Sequence, residues 1–240
     1  MGKFEKIGSA LSRYKASKGF GVHSPFAYSF ITDVLDEKYG YYSYETLQQL
    51  RNEVVERTRN EQGYKPHVIS LTESAVLFRV ANRYNPSLFM SVGVSYGVAI
   101  ASMLMVSHRS RVVVSGYEPG GNAAADEVIA SYGERVVSRG SISEAYTSYI
   151  DMLADGENCF VVINHVSMAE MAEAAELVDK MVSKTGVLVL RNIDKLNTAS
   201  MLWEQCRAAM HYGMTFTNGK MAVVVLNPKL PRQDFGIWLS

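Results

Sequence analysis

The stretch Leu88-Phe89-Met90-Ser91-Val92-Gly93-Val94-Ser95-Tyr96-Gly97 sets the reading of the whole chain. Five residues of strand character run into two glycines four positions apart, and a second apolar run begins at Val98. From Tyr84 to Ser107 there is no charged residue, a length that could cross a bilayer. Asn85, Pro86, Ser91, Gly93, Ser95, Gly97 and Ser102 divide it, so it reads as a buried strand, a tight turn and a buried helix.

Downstream of this stretch, short apolar runs alternate with helical segments, the signature of a parallel sheet wrapped by helices. Strands are expected at Leu88–Val92, Val112–Tyr117, Arg135–Ser138, Cys159–Asn164 and Val187–Arg191. Helices are expected near Val98–Ser107, Ala123–Tyr132, Ser143–Leu153, Met168–Ser183 and Thr198–His211. The runs Met214–Thr217 and Met221–Leu226 flank Asn218-Gly219, which predicts an antiparallel hairpin closed by a type I′ turn. Upstream, the pattern is helical. Phe4, Ile7, Leu11 and Tyr14 share one face of a basic segment that also carries Lys3, Lys6, Arg13, Lys15 and Lys18. This is read as a docked or surface-lying amphipathic helix and not as a secretory signal, because it lacks a continuous apolar core and a cleavage site. Ser24-Pro25 reads as an N-cap followed by proline at the first helical position. The division expected is a helical extension or cap over residues 1–64 and a Rossmann-like domain over residues 65–240.

Composition excludes several classes. The chain has 240 residues, 48% of them hydrophobic, and 24 basic against 24 acidic side chains. That argues for a globular fold and against disorder, and the even charge gives no general attraction to nucleic acid. Cys159 and Cys206 lack metal or redox spacing and read as reduced thiols of a cytoplasmic protein.

Chemistry in a doubly wound sheet sits outside the carboxyl ends of the strands, where strand order reverses. The Gly93–Gly97 turn lets the backbone approach a ligand closely. Glu118 ends the second strand region, where a carboxylate can accept from both hydroxyls of a ribose; it also reads as an ordinary surface acid. His165, just past the fourth strand, is a candidate general base or a hydrogen-bonded structural histidine. Tyr41 and Tyr42 belong to a cluster, Tyr39 to Tyr44, that suits an acceptor pocket or plain packing at a helix junction.

The chain resembles the class I S-adenosylmethionine-dependent methyltransferases, and within them a bacterial O-methyltransferase-like group. The likeness is carried by His23-Ser24-Pro25-Phe26, by Tyr41-Tyr42 with Glu45 and Leu50-Arg51, by the Gly93 and Gly97 turn with Glu118, and by Met201 and Trp203. It implies a seven-stranded mixed sheet with the last strand antiparallel, helices on both faces, and S-adenosylmethionine as methyl donor to a small-molecule acceptor. Ser91, Gly93, Ser95, Gly97, Glu118, Ser141 and Asn164 are the positions expected to line the cofactor cleft. The departures are specific. Ser91 stands where the motif opens with an acid, and Asn164 and Arg191-Asn192 stand where metal-using relatives place carboxylates. An arginine opposes a divalent cation, so the resemblance implies metal-independent transfer. Two other readings stay open: a methyltransferase fold that binds without catalysing, and an α/β-hydrolase in which Gly93-Val94-Ser95-Tyr96-Gly97 is a nucleophile elbow with Ser95, an Asp179 or Asp194 acid and His211.

Overall fold

The computed structural model describes residues 12–62, 68–194 and 197–239. The chain begins with a helical segment at residues 12–17 (α1), followed by α2 (Pro25–Phe30), a π-helical turn (Ile31–Leu35), α3 (Tyr42–Gln62) and α4 (Leu71–Tyr84). Strands and helices then alternate: β1 (Leu88–Val92), α5 (Val98–Leu104), β2 (Arg111–Ser115), α6 (Ala123–Tyr132), β3 (Val136–Arg139) and α7 (Ile142–Met152). They continue as β4 (Cys159–Ile163), α8 (Met171–Val182), β5 (Gly186–Arg191), α9 (Asn197–Ala209), β6 (Met214–Thr217), β7 (Met221–Leu226) and β8 (Gln233–Gly236).

The sheet order is β3-β2-β1-β4-β5-β7-β6-β8. β1 through β5 are parallel, and β7 lies antiparallel to both β5 and β6. This is the expected α/β fold with one addition, an eighth strand that pairs parallel with β6 at the edge. β1 lies between β2 and β4, so the strand order reverses beside the Gly93–Gly97 turn. The predicted hairpin forms, but its turn is not of type I′. That type needs positive φ at both central residues, and here only Gly219 has it. Asn218 instead braces the turn with its side chain, its Oδ1 accepting from the N–H groups of Lys220 and Met221 at 2.9 Å each.

Both faces of the sheet are covered, which is why β1, β4, β5 and β7 are buried along their whole length. Phe89, Phe160, Val189, Phe216 and Val223 point toward α2 to α6, while Met90, Val161, Leu188 and Val224 point toward α7, α8 and α9. Full burial of a side chain such as Phe89 stabilises the fold by roughly 1.5–3 kcal/mol. The early helices belong to the first layer. Ala27, Phe30, Ile31, Leu47 and Val54 share one core with the sheet, and Phe30 meets Phe216 of β6 at 4.9 Å between ring centroids.

Ser24 caps α2 as expected, accepting from the Ala27 N–H. The π-helical turn after it ends on Arg79 of α4, whose Nε and Nη2 donate to the carbonyls of Val34 and Leu35 at 2.6 and 2.8 Å. That buried guanidinium satisfies carbonyls the wider turn leaves open. α3 packs on α4, α5 and α6, so its apolar stripe covers the helical layer and not the strand ends. The proposed boundary between residues 64 and 65, and most of the basic amphipathic segment, lie outside the described residues. Among the described residues no helix is long and apolar enough to cross a membrane. Cys159 and Cys206 are buried free thiols; burial raises both, Cys206 to about 12.

Candidate active site

The turn after β1 is dictated by backbone geometry. Gly93 and Gly97 have φ of 74° and 77°, a region that disfavours residues with a Cβ. A Cβ on Gly93 would lie 2.7 Å from the His165 carbonyl oxygen, and one on Gly97 would lie 2.7 Å from Val128 Cγ1. The fold therefore requires both glycines before any ligand is considered. Ser95 between them is exposed and also left-handed, at φ 54°. Because α5 spans only Val98–Leu104, the cradle is the turn itself rather than a long helix end.

This turn forms one wall of a cleft of about 470 Å³, within the usual range for a ligand site. Val94, Ser95, Gly116, Glu118, Gly140 and Glu170 are among its lining residues. β2 ends at Ser115, two residues earlier than expected, because Gly116 turns out of the strand at φ 66°. Glu118 is consequently carried on a loop, exposed, and its carboxylate makes no hydrogen bond among the described residues. The loop is fixed by Asp126, which accepts from the Tyr117 hydroxyl at 2.8 Å and from the Gly120 N–H at 2.9 Å. Burial, and then the Asp126 carboxylate, push the Tyr117 hydroxyl up to about 12, so it stays a donor at neutral pH.

Glu170 is a residue the sequence reading missed. Its Oε2 accepts from the Ser167 N–H at 2.9 Å and from Ser167 Oγ at 2.6 Å. Its Oε1 lies 3.3 Å from where a Gly116 Cβ would be, placing a second carboxylate over the turn. The S-x-x-E spacing from Ser167 to Glu170 was the available signal, a local capping pattern.

The neighbouring strand ends carry a buried polar chain. Asn164 Nδ2 donates to Ser91 Oγ at 2.8 Å and to the Gly93 carbonyl at 3.2 Å, and Ser91 Oγ donates to that same carbonyl at 3.1 Å. Arg191 Nη1 donates to Asn164 Oδ1 at 2.9 Å, and its Nη2 lies 4.0 Å from Glu73 Oε2. Asn192, left-handed at φ 58°, donates through Nδ2 to the Asn164 carbonyl at 3.2 Å. Ser91 and Asn164, both expected at the cofactor cleft, instead meet as a buried brace behind the glycine turn and do not line it. Burial pushes the Arg191 guanidinium down to about 10 while Glu73 opposes the shift, so the charge persists at neutral pH.

The other candidates are more dispersed. His165 is exposed, with its backbone pressed on Gly93 and its N–H donating to the Val92 carbonyl at 3.3 Å. Ser141 caps α7 by accepting from the Glu144 N–H, one residue beyond Gly140 of the cleft. Tyr41 donates to Glu37 and packs edge-on against Phe78 of α4, and Tyr42 is almost wholly exposed; neither lines the cleft that holds Glu118. The hydrolase arrangement does not assemble. Ser95 stands at the carboxyl edge of the sheet, whereas His211 follows α9 at the opposite edge, and Asp179 is bound by Gln205 Nε2 at 2.7 Å.

No protein-family model matches the sequence, and no curated protein sequence matches it significantly. Solved structures do match in fold. An O-methyltransferase from Bacillus cereus in complex with SAH superposes with a TM-score of 0.53 at 14% identity, covering 82% of this chain and 96% of that one. The SAH-bound methyltransferase PaMTH1 of Podospora anserina gives 0.55 at 12% identity, covering 85% and 97%. The O-methyltransferase TomG of Streptomyces achromogenes, in complex with SAM, gives 0.53 at 11% identity, covering 95% and 100%. The chain therefore has the Rossmann-like fold of these methyltransferases, here with an eight-stranded sheet.

Proposed function

We propose that the chain is an S-adenosylmethionine-dependent methyltransferase acting on an oxygen of a small-molecule acceptor without a metal. The observation that carries this reading is the meeting, in one cleft at the strand-order reversal, of the left-handed Gly93–Gly97 turn and the unpaired Glu118. When bound, S-adenosylmethionine supplies a methyl group already activated by a sulfonium, so the protein's task is alignment. Glu118 would accept from the ribose hydroxyls, and the backbone of residues 93–97 would hold the cofactor beside it. Glu170 would add negative charge to the same cleft. His165, held by its backbone on Gly93, is the candidate base that takes the acceptor's proton. Arg191 supports the metal-free reading, because a fixed guanidinium repels a divalent cation at the ends of β4 and β5.

Calorimetry with S-adenosylhomocysteine tests the reading. Binding should be seen, and Glu118→Ala should weaken it by about 1–3 kcal/mol, the scale of a charge-assisted contact. No heat and no thermal shift, in a folded sample, would leave a second reading: a methyltransferase fold that binds other molecules without catalysing. The observation favouring that alternative is the buried chain from Ser91 through Asn164 to Arg191, which occupies three positions where catalytic relatives keep acids. If methyl transfer is detected, EDTA should leave its rate unchanged. A rate abolished by EDTA and restored by Mg²⁺ would overturn the metal-free assignment.

A further inference from the structure

A second cleft, of about 530 Å³, opens at the same carboxyl edge of the sheet beyond β5. Arg191 forms part of its wall, together with Arg13 from α1, Lys220 from the β6–β7 turn, Glu73 and Trp238. Among the described residues, its charged lining is Arg13, Arg191, Lys220 and Glu73, the last also accepting from Ser70 Oγ at 2.9 Å. Their placement is fixed by backbone. Arg13 Nη1 donates to the Asn218 carbonyl at 3.0 Å, holding α1 against the turn, and the Lys220 carbonyl accepts from Ile193 N–H at 3.0 Å, tying that turn to the end of β5.

Arg191 is the informative member. It is 4% exposed, and among the described residues its Nε has no hydrogen-bond partner and its nearest carboxylate oxygen is 4.0 Å away. A buried charge whose pairing is this loose carries a desolvation cost that the surrounding protein offsets only in part. An anion in the cleft would complete the compensation, and the guanidinium and ammonium groups suit carboxylate or phosphate oxygens. Trp238, 52% exposed, lines the same cleft and offers a flat apolar surface beside the charges.

We infer that this cleft binds a small molecule with an anionic group, carboxylate or phosphate, on a flat apolar body: Arg191 and Lys220 take the anion and Trp238 takes the body. Its identification as the methyl acceptor rests on the function proposed above; the binding itself does not. The same edge of the sheet that holds carboxylates for a cation in metal-using relatives is here a receptor for the opposite charge.

The experiment is a ligand-detected NMR titration of the full chain with benzoate, phenyl phosphate and benzamide, alongside S-adenosylhomocysteine. Benzoate or phenyl phosphate should bind while neutral benzamide does not, and the tighter of the two identifies the anion. Lys220→Gln should weaken the binding by about three- to tenfold, whereas Lys229→Gln, on the opposite edge, should leave it unchanged. Both lysines are exposed, so neither variant threatens folding. Trp238→Ala should weaken the aromatic anions more than inorganic phosphate. The inference is overturned if benzamide binds as well as benzoate, if no anion binds at about 10 mM, ten times a weak millimolar affinity, or if Lys220→Gln has no effect. Anion binding without S-adenosylhomocysteine binding would keep the cleft and remove the methyl-transfer reading. The reverse result would remove the anionic ligand alone.

Discussion

The carboxyl edge of the sheet is built in two different ways on its two sides. Beside β1 and β2 the cleft is shaped by backbone: Gly93, Ser95, Gly97 and Gly116 are all left-handed, and the acids Glu118 and Glu170 reach over them. Beside β4 and β5 the edge is filled by side chains, with Ser91, Asn164, Arg191 and Glu73 joined in a buried chain. A ligand cradle made of backbone survives many substitutions around it, because its shape depends on a few glycines. A site made of charged side chains changes character when one of them changes. The first side is therefore set by backbone conformation, and the second by which side chains meet at the strand ends.

The contrast can be broken most directly at Arg191. Arg191→Ala should destabilise the protein by about 3–5 kcal/mol, since it leaves Asn164 Oδ1 without its buried donor and opens a cavity where the long side chain stood. Urea unfolding checks this, and a loss below about 1 kcal/mol would mean that the chain of hydrogen bonds is incidental. On the backbone side, Gly97→Ala should cost about 2–4 kcal/mol, combining its positive φ with the approach of Val128. Gly120→Ala provides the control. It shares positive φ, but nothing lies within 4 Å of its Cβ position, so only about 1–2 kcal/mol is expected. Equal costs at the two positions would show that conformation alone, and not close packing, fixes the turn.

A smaller effect separates the two acids of the first cleft. Glu170→Gln should weaken S-adenosylhomocysteine binding by about 1 kcal/mol while leaving thermal stability nearly unchanged, because the amide oxygen still accepts from Ser167. A large fall in melting temperature would assign Glu170 to the fold rather than the cleft. The smallest effect is expected from the thiols. Cys206, with an ordinary value of 9.0 raised to about 12 by burial, stays protonated in the folded chain after an unfolded chain would ionise. Its contribution to stability is therefore full below pH 9 and lost as pH rises toward 12. Neither cysteine should react with a thiol reagent at neutral pH until the protein is unfolded. Rapid labelling of the native chain would show that this part of the core opens.

Much of the architecture was legible because strands buried on both faces leave continuous apolar runs. β1, β6 and β7 fall at the predicted residues, and the other expected strands differ by one or two positions at one or both ends. What escaped was the edge strand β8, whose residues Gln233–Gly236 are mostly exposed and so carry no apolar run. The Asn218-Gly219 turn was located correctly but given the wrong conformation, because Asn218 can brace a turn through its side chain as well as by adopting positive φ. Glu118 was legible by its distance from the glycine turn, whereas Glu170 was not, since an acid at the start of a helix is ordinary in sequence.

Local chemistry determined that Gly93 and Gly97 form a turn after a buried strand, that Ser24-Pro25 opens a helix, and that an acid follows the second strand. These depend on neighbours within a few positions, where backbone preference and periodicity act directly. The tertiary structure alone decided that Arg191 meets Asn164 across two strands, that residues 42–62 cover a helical layer rather than the strand ends, and that Arg13 and Lys220 share a cleft with Trp238. Those pairings include residues 205 positions or more apart, and only the crossing order of the sheet brings them together.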